Sequence, residues 1–172
     1  WGEEEEVSFE GDYVTANNVA CQPKPPHDVP ILIGGGGEKV TLKLAAREAN
    51  IWNNLAGHQG ELAHKVDVLK RHCDVAERNF NDVMVSQQCL VTIASTEKEA
   101  IPMADQAQEI FGGHMGDPKG PLAITGTPEQ CCDAIQKHID IGCTMFVIEF
   151  FGRDTTVPEK LFAETVAPEF RG

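Results

Sequence analysis

The chain has 172 residues, of which 41% are hydrophobic, and its formal net charge at pH 7 is −13. This length suits one domain or part of a larger one, and the apolar fraction is sufficient for a sizeable core. The strong negative charge argues against nucleic acid and anionic membrane surfaces as partners, because clusters of Lys and Arg supply affinity for both. No apolar run approaches the ~18 residues of a transmembrane helix, so we expect no membrane partner.

The first 29 residues show little regular pattern and are predicted to form an extended N-terminal arm. Residues 7–14 alternate in a way that is typical of a short hairpin. Four prolines follow, the first at Pro23 and the last at Pro30. They favour an extended lead-in, because proline fixes its own φ and restricts the residue before it.

A short apolar run followed by four glycines is the most informative stretch of the chain. Ile31 to Ile33 predicts a buried strand, and residues 40–49 predict a helix. Glycines let a ligand approach the backbone closely, and a helix start presents N–H groups and a positive dipole end. The stretch predicts an anion site, for example for a cofactor phosphate. A tight strand-to-helix turn with no ligand is the alternative that the residues leave open.

The known phosphate-binding motifs do not fit this stretch. A P-loop requires glycine directly before the lysine and Ser or Thr directly after it. Here Glu38 precedes Lys39, and Val40 separates Lys39 from Thr41. In the Rossmann spacing the third glycine would fall at Lys39 or Val40, so that motif is excluded too.

Strands and helices alternate along the remainder. Thr127, Pro128 and Gln130 make a strong helix start, and Thr96 with Glu99 predicts a capping box. Strands are predicted at residues 50–54, 83–94 and 145–151, the last one apolar on both faces. Helices are predicted at residues 61–78, 96–111, 127–141 and 158–167. Residues 112–126 are rich in Gly and Pro and predict either a mobile lid or a loose surface loop.

The six cysteines predict no metal site. No Cys-x-x-Cys pair occurs, and no cysteine lies at zinc-ligand spacing from a histidine. Cys73, Cys89 and Cys143 fall in apolar patterns and are expected to be small core residues. Free thiols of this kind are typical of a reducing compartment, so we expect a cytoplasmic protein.

Alternating strands and helices predict an α/β fold with a parallel sheet. Four βα units are half of a (β/α)₈ barrel, and the complete TIM barrel takes ~250 residues. The chain is therefore too short for the whole barrel.

Several segments together resemble the luciferase-like monooxygenase superfamily. The motif Gly-Gly-Gly-Gly-Glu-Lys-x-Thr-Leu is most similar to the branch that uses the deazaflavin coenzyme F420. The resemblance covers nearly the whole chain but only the C-terminal half of the family pattern, and Asn50 stands where the family usually has an acid. It implies that residues 30–172 are the C-terminal half of a TIM barrel within a longer chain. The segments that carry it are residues 7–13, 30–47, 49–53, 65–73 and 126–130.

The resemblance also implies where a cofactor binds. In this family the loop after the glycine strand contacts the phosphate region of the flavin. That contact carries over to Gly35, Gly36, Gly37, Glu38 and Lys39. Lys39 pairs with the phosphate in this interpretation, and a solvated lysine at the helix start is the alternative.

Four further residues are candidates for the substrate pocket. In the fold that the resemblance implies, Trp52 and Asn53 lie at the carboxyl end of the next strand, which belongs to the site face. Trp52 either stacks near the cofactor or fills the core. His58 lies just past this strand. Glu149 shares a strand face with apolar residues, so it either faces the site or forms a structural ion pair. No catalytic acid or base is identified.

The family resemblance implies an oxidoreductase or monooxygenase that uses F420 or FMN on a small organic substrate. Deazaflavin carries a hydride and reduced FMN activates O₂, while the protein supplies position, electrostatics and water exclusion. The alternative is a non-catalytic half-barrel that self-associates through its open sheet edges. Unpaired strand edges and an apolar lumen predict a homodimer or higher oligomer.

Overall fold

The computed structural model describes residues 2–171, which form two compact units, one ending at Pro30 and the other beginning at Ile31. The first unit contains an antiparallel hairpin of β1 (Val7–Glu10) and β2 (Thr15–Val19). The Gly11 N–H donates to the Val14 carbonyl across the turn at 3.0 Å. The predicted hairpin is present and extends five residues further than the alternating pattern indicated.

The second unit contains the four predicted strands and the helices between them. Its strands are β3 (Leu32–Gly34), β4 (Ile51–Asn54), β5 (Met84–Ile93), β6 (Ile124–Gly126) and β7 (Met145–Phe150). Its helices are α1 (Thr41–Glu48), α2 (Leu62–Val75), α3 (Glu97–Phe111), α4 (Pro128–Ile141) and α5 (Thr156–Thr165). Short 3₁₀ turns span Ala56–Glu61, Phe80–Asp82 and Ala167–Phe170.

The strands of the second unit form one parallel sheet around β5. The order is β3-β4-β5-β6, and β7 pairs with β5 as well. β5 is long enough to pair with β4 through its first residues and with β6 through its last. Strand β6 lies inside the stretch predicted as a loop, and three residues are too short to give a periodic pattern. It is joined to β5 by Thr125, whose hydroxyl lies 2.7 Å from that of Thr92.

The helices pack on one face of the sheet, and the other face is exposed at several positions. Trp52 and Val85 are aligned in neighbouring strands and both point into the core beneath α1 and α2. On the opposite face Leu32, Met84 and Val147 are 48%, 44% and 41% exposed. The prediction that β7 is buried on both faces is therefore wrong, because helices cover only one of its faces.

Of the two predicted capping boxes, the one at α4 is formed and the one at α3 is not. At α4 the capping box is confirmed: the Gln130 N–H donates to Thr127 Oγ1 at 3.4 Å, and the Thr127 N–H donates to Gln130 Oε1 at 2.9 Å. At α3 the predicted box is not formed. The Thr96 hydroxyl donates instead to the Glu99 carboxylate at 2.9 Å, so the two side chains satisfy each other.

The predicted core cysteines are buried. Cys73, Cys89 and Cys143 have no exposed surface, and all six thiols are free. Burial raises the pKa of Cys89 to about 12 and that of Cys143 to about 11. These thiols therefore stay protonated near neutral pH and act as small packing groups.

Among residues 2–171, none of the helices has the length and apolar character of a membrane-spanning segment.

His138 is a fully buried histidine that links three segments of the second unit. Its Nδ1–H donates to the Ala134 carbonyl at 2.8 Å, which leaves Nε2 as an acceptor. The Gln59 amide donates to this Nε2 at 3.0 Å and to the Leu122 carbonyl at 2.7 Å. The neutral ring is therefore the form that fits, and burial lowers the pKa of His138.

We predict that His138 makes the fold less stable in acid. At a pH above the ordinary histidine value of about 6.5 the ring is neutral in both states and adds no pH dependence. As the pH falls below that value, the unfolded chain takes up a proton that the folded chain does not. The free energy of unfolding therefore decreases until the pH reaches the lowered pKa of the folded state.

Urea denaturation between about pH 8 and about pH 5 measures this effect. The His138→Leu variant should show a weaker dependence of unfolding free energy on pH than the wild type. The exposed His114→Gln variant is the matched control and should follow the wild type. Equal pH dependence in His138→Leu and the wild type would show that His138 is not the responsible group.

Candidate functional site

The first residue of the glycine loop (Gly35–Lys39) is held by β4. The Gly35 N–H donates to the Asn53 carbonyl at 3.1 Å, and the Gly35 carbonyl accepts from the Trp52 indole N–H at 2.9 Å. Gly35 has φ +127°, a conformation that strongly favours glycine. The neighbouring strand therefore fixes the direction in which the loop leaves β3.

The next two glycines lie so close to side chains that a Cβ would make tight contacts. A Cβ on Gly36 would lie 3.0 Å from Cδ2 of His58, and one on Gly37 would lie 3.0 Å from Oγ1 of Thr41. The His58 ring thus packs over Gly36, and the hydroxyl of Thr41, the first residue of α1, approaches Gly37. A Cβ at either position would require the neighbouring side chain to move by a few tenths of an ångström.

The loop presents four consecutive backbone donors at the start of α1. Within residues 2–171, the N–H groups of Gly36, Gly37, Glu38 and Lys39 have no protein acceptor. The Leu42 N–H donates back to the Gly37 carbonyl at 2.9 Å, which ties the loop to the helix. Free N–H groups of a glycine-rich loop that leads into a helix can donate to phosphate or carboxylate.

Lys39 is the loop's cationic side chain, and it is exposed. Within the described part of the chain it forms no salt bridge, so its ammonium group is available to an anion. The loop and Lys39 together provide hydrogen-bond donors and one positive charge, which is the chemistry that a phosphate group requires. The predicted phosphate residues are therefore contiguous and oriented by neighbours.

The side chain of Glu38 points away from this donor set and toward α2. Its Oε1 accepts from Lys65 Nζ at 2.8 Å and from His64 Nε2 at 3.0 Å. Its backbone carbonyl lies 2.8 Å from Nε2 of His72. The carboxylate of Glu38 is thus held by α2, while its N–H has no acceptor among residues 2–171.

The ion pair between Glu38 and Lys65 shifts the pKa of both groups. Hydrogen bonds from Lys65 and then from His64 lower the pKa of Glu38. The hydrogen bond to Glu38 raises the pKa of Lys65 against the opposing effect of burial. Both groups are therefore charged near neutral pH, which is the state in which the pair holds the loop.

The predicted pocket residues of β4 have different environments. Trp52 is fully buried among core residues, so its ring fills the core and acts on the site only through its bond to Gly35. Asn53 is half-buried, and its Oδ1 accepts from the Ser86 hydroxyl at 2.8 Å. His58 is half-exposed beside the loop, with Nδ1 3.8 Å from the Glu61 carboxylate.

Glu149 lies apart from this group. It is exposed on the sheet face that the helices leave open, next to Val147 on β7. Three strand spacings separate β7 from β3, on the order of 14 Å. Glu149 forms no salt bridge with any residue that the structure describes, so the structural ion pair is not found.

The sequence analysis missed the α2 residues that contact the loop. None of His64, Lys65 and His72 is indicated as a site residue by the motifs of the sequence. A usable signal exists, because Lys65 and His72 are seven residues apart and so share one face of a helix. That face is otherwise apolar, and a buried lysine within it indicates an acidic partner elsewhere.

An apolar groove of about 440 Å³ lies between α4, β7 and α5. It contains none of the predicted site residues. Its lining includes Ile135, Phe146 and Phe162, which belong to the helix-covered side of the sheet. The groove lacks the donors and charge of the glycine loop, so the loop remains the candidate site.

Comparison with known proteins identifies the family. The model of the family described as luciferase-like monooxygenase matches residues 1–122, and the chain belongs to this family. A curated relative is the F420-dependent glucose-6-phosphate dehydrogenase of Microbacterium testaceum, 23% identical over 189 residues. That alignment covers 97% of this chain and 56% of the relative. The chain thus spans little more than half the length of the curated relative that it matches.

Solved structures show the same fold. An F420-dependent secondary alcohol dehydrogenase, in complex with an F420-acetone adduct, matches with TM-score 0.75 at 17% identity, covering 100% of this chain and 58% of that one. A riboflavin lyase with modified FMN and substrate riboflavin matches with TM-score 0.73 at 16% identity, covering 96% and 48%. The prediction of an α/β fold with a parallel sheet, about half of a luciferase-like barrel, is confirmed, and the sheet has five strands where four were predicted.

We predict that the Trp52 indole N–H stabilises the loop. The Trp52→Phe variant keeps an aromatic ring in the core but removes the donor to Gly35, and should lower the unfolding free energy by about 1–2 kcal/mol. Trp52→Leu removes the ring as well and should cost roughly 3 kcal/mol or more. Urea denaturation measures both. An unchanged unfolding midpoint in Trp52→Phe would show that the hydrogen bond contributes nothing.

Proposed function

We propose that this chain is the phosphate-binding part of a luciferase-like oxidoreductase that uses coenzyme F420, or else FMN, on a small organic substrate. The family supports a flavin-type cofactor, and the printed names of the curated relative and of one structural neighbour favour F420. The other neighbour's name favours FMN. The four free N–H groups of the glycine loop are the observation that carries the proposal.

The loop fits a phosphate-bearing cofactor. Glycines at 36 and 37 carry no side chain that could cover the loop backbone, and the loop packs closely against His58 and Thr41. The N–H groups and the Lys39 ammonium would hold the phosphate, and the start of α1 adds its positive dipole end. These groups are in place before binding, so little ordering is required of the protein.

The remaining residues would orient the cofactor and limit water access. When bound, a deazaflavin supplies hydride transfer, and a reduced flavin supplies O₂ activation. His58 covers one side of the loop at Gly36, and Asn53 presents an amide at the carboxyl end of β4. Carboxyl ends of parallel strands form the site face of barrels of this class. No residue of this chain is assigned a proton-transfer role.

Fluorescence titration of the chain with F420, FMN and their phosphate-free forms tests the proposal. Riboflavin is the phosphate-free form of FMN, and the bare deazaflavin chromophore that of F420. We predict that one phosphate-bearing cofactor binds at least about tenfold more tightly than its phosphate-free form, a difference of about 1.4 kcal/mol. Equal affinity of the two forms, or saturable binding of neither cofactor, would contradict the proposal.

A matched pair of variants at position 36 separates charge from shape. Gly36→Asp and Gly36→Asn have nearly the same volume, and both must displace the His58 ring. The added carboxylate alone should repel phosphate, so Gly36→Asp should bind at least about tenfold more weakly than Gly36→Asn. Equal affinities of the two variants would place the phosphate elsewhere.

The exposed sheet face supports a second candidate, self-association. Leu32, Met84 and Val147 lie on this face, and β3 and β7 each pair along only one edge within the described sheet. Exposed apolar patches and unpaired strand edges favour contact between copies. We therefore propose that the isolated chain forms a dimer or higher oligomer through this face.

Light scattering coupled to gel filtration tests this second proposal. The Val147→Lys variant places a charge on the open sheet face and should shift the chain toward the monomer. Val157→Lys is the matched control, because Val157 is 64% exposed on α5, away from that face. A wild-type chain that is monomeric at high concentration would contradict self-association.

A further inference from the structure

A buried lysine of α2 supports the glycine loop from beneath. Only 7% of Lys65 is exposed, yet its ammonium group carries a full charge. It lies 2.8 Å from a carboxylate oxygen of Glu38 and 3.3 Å from one of Glu61. A buried charge is costly unless it is paired, so these two contacts fix the position of Lys65 and of both partners.

Two histidines of α2 contact the same loop residue, Glu38. His64 contacts the Glu38 carboxylate, and His72 contacts the Glu38 backbone carbonyl. Three side chains of α2 therefore converge on Glu38, from positions spread over more than two helical turns. Such convergence restrains both the side chain and the peptide unit of Glu38, the fourth of the five loop residues.

Lys65 is also connected to Gly36, the second residue of the loop, through Glu61 and His58. The Glu61 carboxylate lies 3.8 Å from Nδ1 of His58, whose ring packs over Gly36. Lys65 is thus connected to the loop twice, directly at Glu38 and through Glu61 and His58 at Gly36. We call Lys65, Glu38 and Glu61 the lysine clamp.

The clamp has an electrostatic consequence for the anion site. Glu38 is the acidic residue of the glycine loop, and a free carboxylate there would repel a phosphate a few ångströms away. Pairing with Lys65 offsets part of that charge and holds the carboxylate toward α2, although Lys65 is shared with Glu61 and the clamp keeps one net negative charge. The four loop N–H groups and Lys39 then act on an incoming anion against less opposing charge than an unpaired Glu38 would supply.

We propose that Lys65 is a positioning residue of the phosphate site, which holds the glycine loop in its binding conformation and offsets part of the charge of Glu38. The ligand in this inference, a cofactor phosphate, rests on the proposed function. The conformational part does not, because the contacts of the clamp are formed by the chain alone. Lys65 itself does not touch the ligand.

Two measurements test the clamp. The first is the ratio of the dissociation constants of the phosphate-free and phosphate-bearing forms, riboflavin with FMN and the bare chromophore with F420. Lys65→Met should lower this ratio about tenfold, because phosphate recognition is lost while chromophore contacts remain. The second is hydrogen–deuterium exchange of the ligand-free chain, in which amides 35–41 should exchange faster in Lys65→Met while those of β7 do not.

Two further variants guard against unfolding and test the charge argument. Glu38→Ala changes a half-exposed loop residue, should fold, and should also raise exchange of the loop. The double variant Lys65→Met/Glu38→Gln removes both charges and should recover part of the ratio that Lys65→Met loses. Lys43→Met, an exposed lysine on α1, is the matched control and should leave both measurements unchanged.

The outcomes distinguish this inference from the proposed function. A wild-type chain that shows no preference for phosphate-bearing forms, with faster loop exchange in Lys65→Met, would refute the proposed function and support the clamp. Loop exchange that is unchanged in both Lys65→Met and Glu38→Ala would overturn the clamp, whatever the cofactor binding. A double variant no better than Lys65→Met would overturn its electrostatic part.

Discussion

The hydrogen bond from the Trp52 indole to the Gly35 carbonyl is the contact on which the candidate site depends. It joins the core to the loop, because the ring is fully buried beneath α1 and α2 while its N–H reaches β3. Together with the bond from the Gly35 N–H to Asn53, it determines how the chain leaves the strand. The direction of the next four N–H groups follows from that first residue. A residue of the hydrophobic core therefore fixes the position of a polar loop.

The site also resolves an apparent conflict in electrostatics. A chain with a net charge of −13 is not expected to attract an anion. At physiological salt, however, exposed charges more than about 8 Å away are largely screened, so local groups decide. Locally the loop presents backbone donors and Lys39, and its own carboxylate at Glu38 is paired with buried Lys65. The net charge argues against nucleic acid as a partner but gives no information about this site.

Much of the fold could be predicted because its signals are local. Periodic apolar residues gave the four strands and the helices between them, and Thr127 with Gln130 marked the start of α4 as observed. Strand β6 was missed because three residues carry no periodicity, and it exists only through pairing with β5. The exposed face of β7 was missed for a related reason. An apolar strand sequence does not show whether a second layer covers it.

The candidate site was predictable only in part. Four glycines between a strand and a helix indicate a backbone site, and the family resemblance assigned it to a cofactor phosphate. The contacts of Glu38 with Lys65, His64 and His72 span 26 to 34 positions along the chain, and no local pattern reports them. Trp52 shows the same limit, since burial and a bond to the loop cannot be separated from ligand stacking by sequence alone.

The central claim is that the backbone N–H groups of the glycine loop bind a phosphate. The most direct measurement is nuclear magnetic resonance of ¹⁵N-labelled chain during titration with a phosphate-bearing cofactor and then with its phosphate-free form. The account predicts that the amide signals of Gly36, Gly37, Glu38 and Lys39 shift with the phosphate-bearing form and remain in place with the phosphate-free form. Loop amides that remain in place with both forms, while other amides shift, would contradict it.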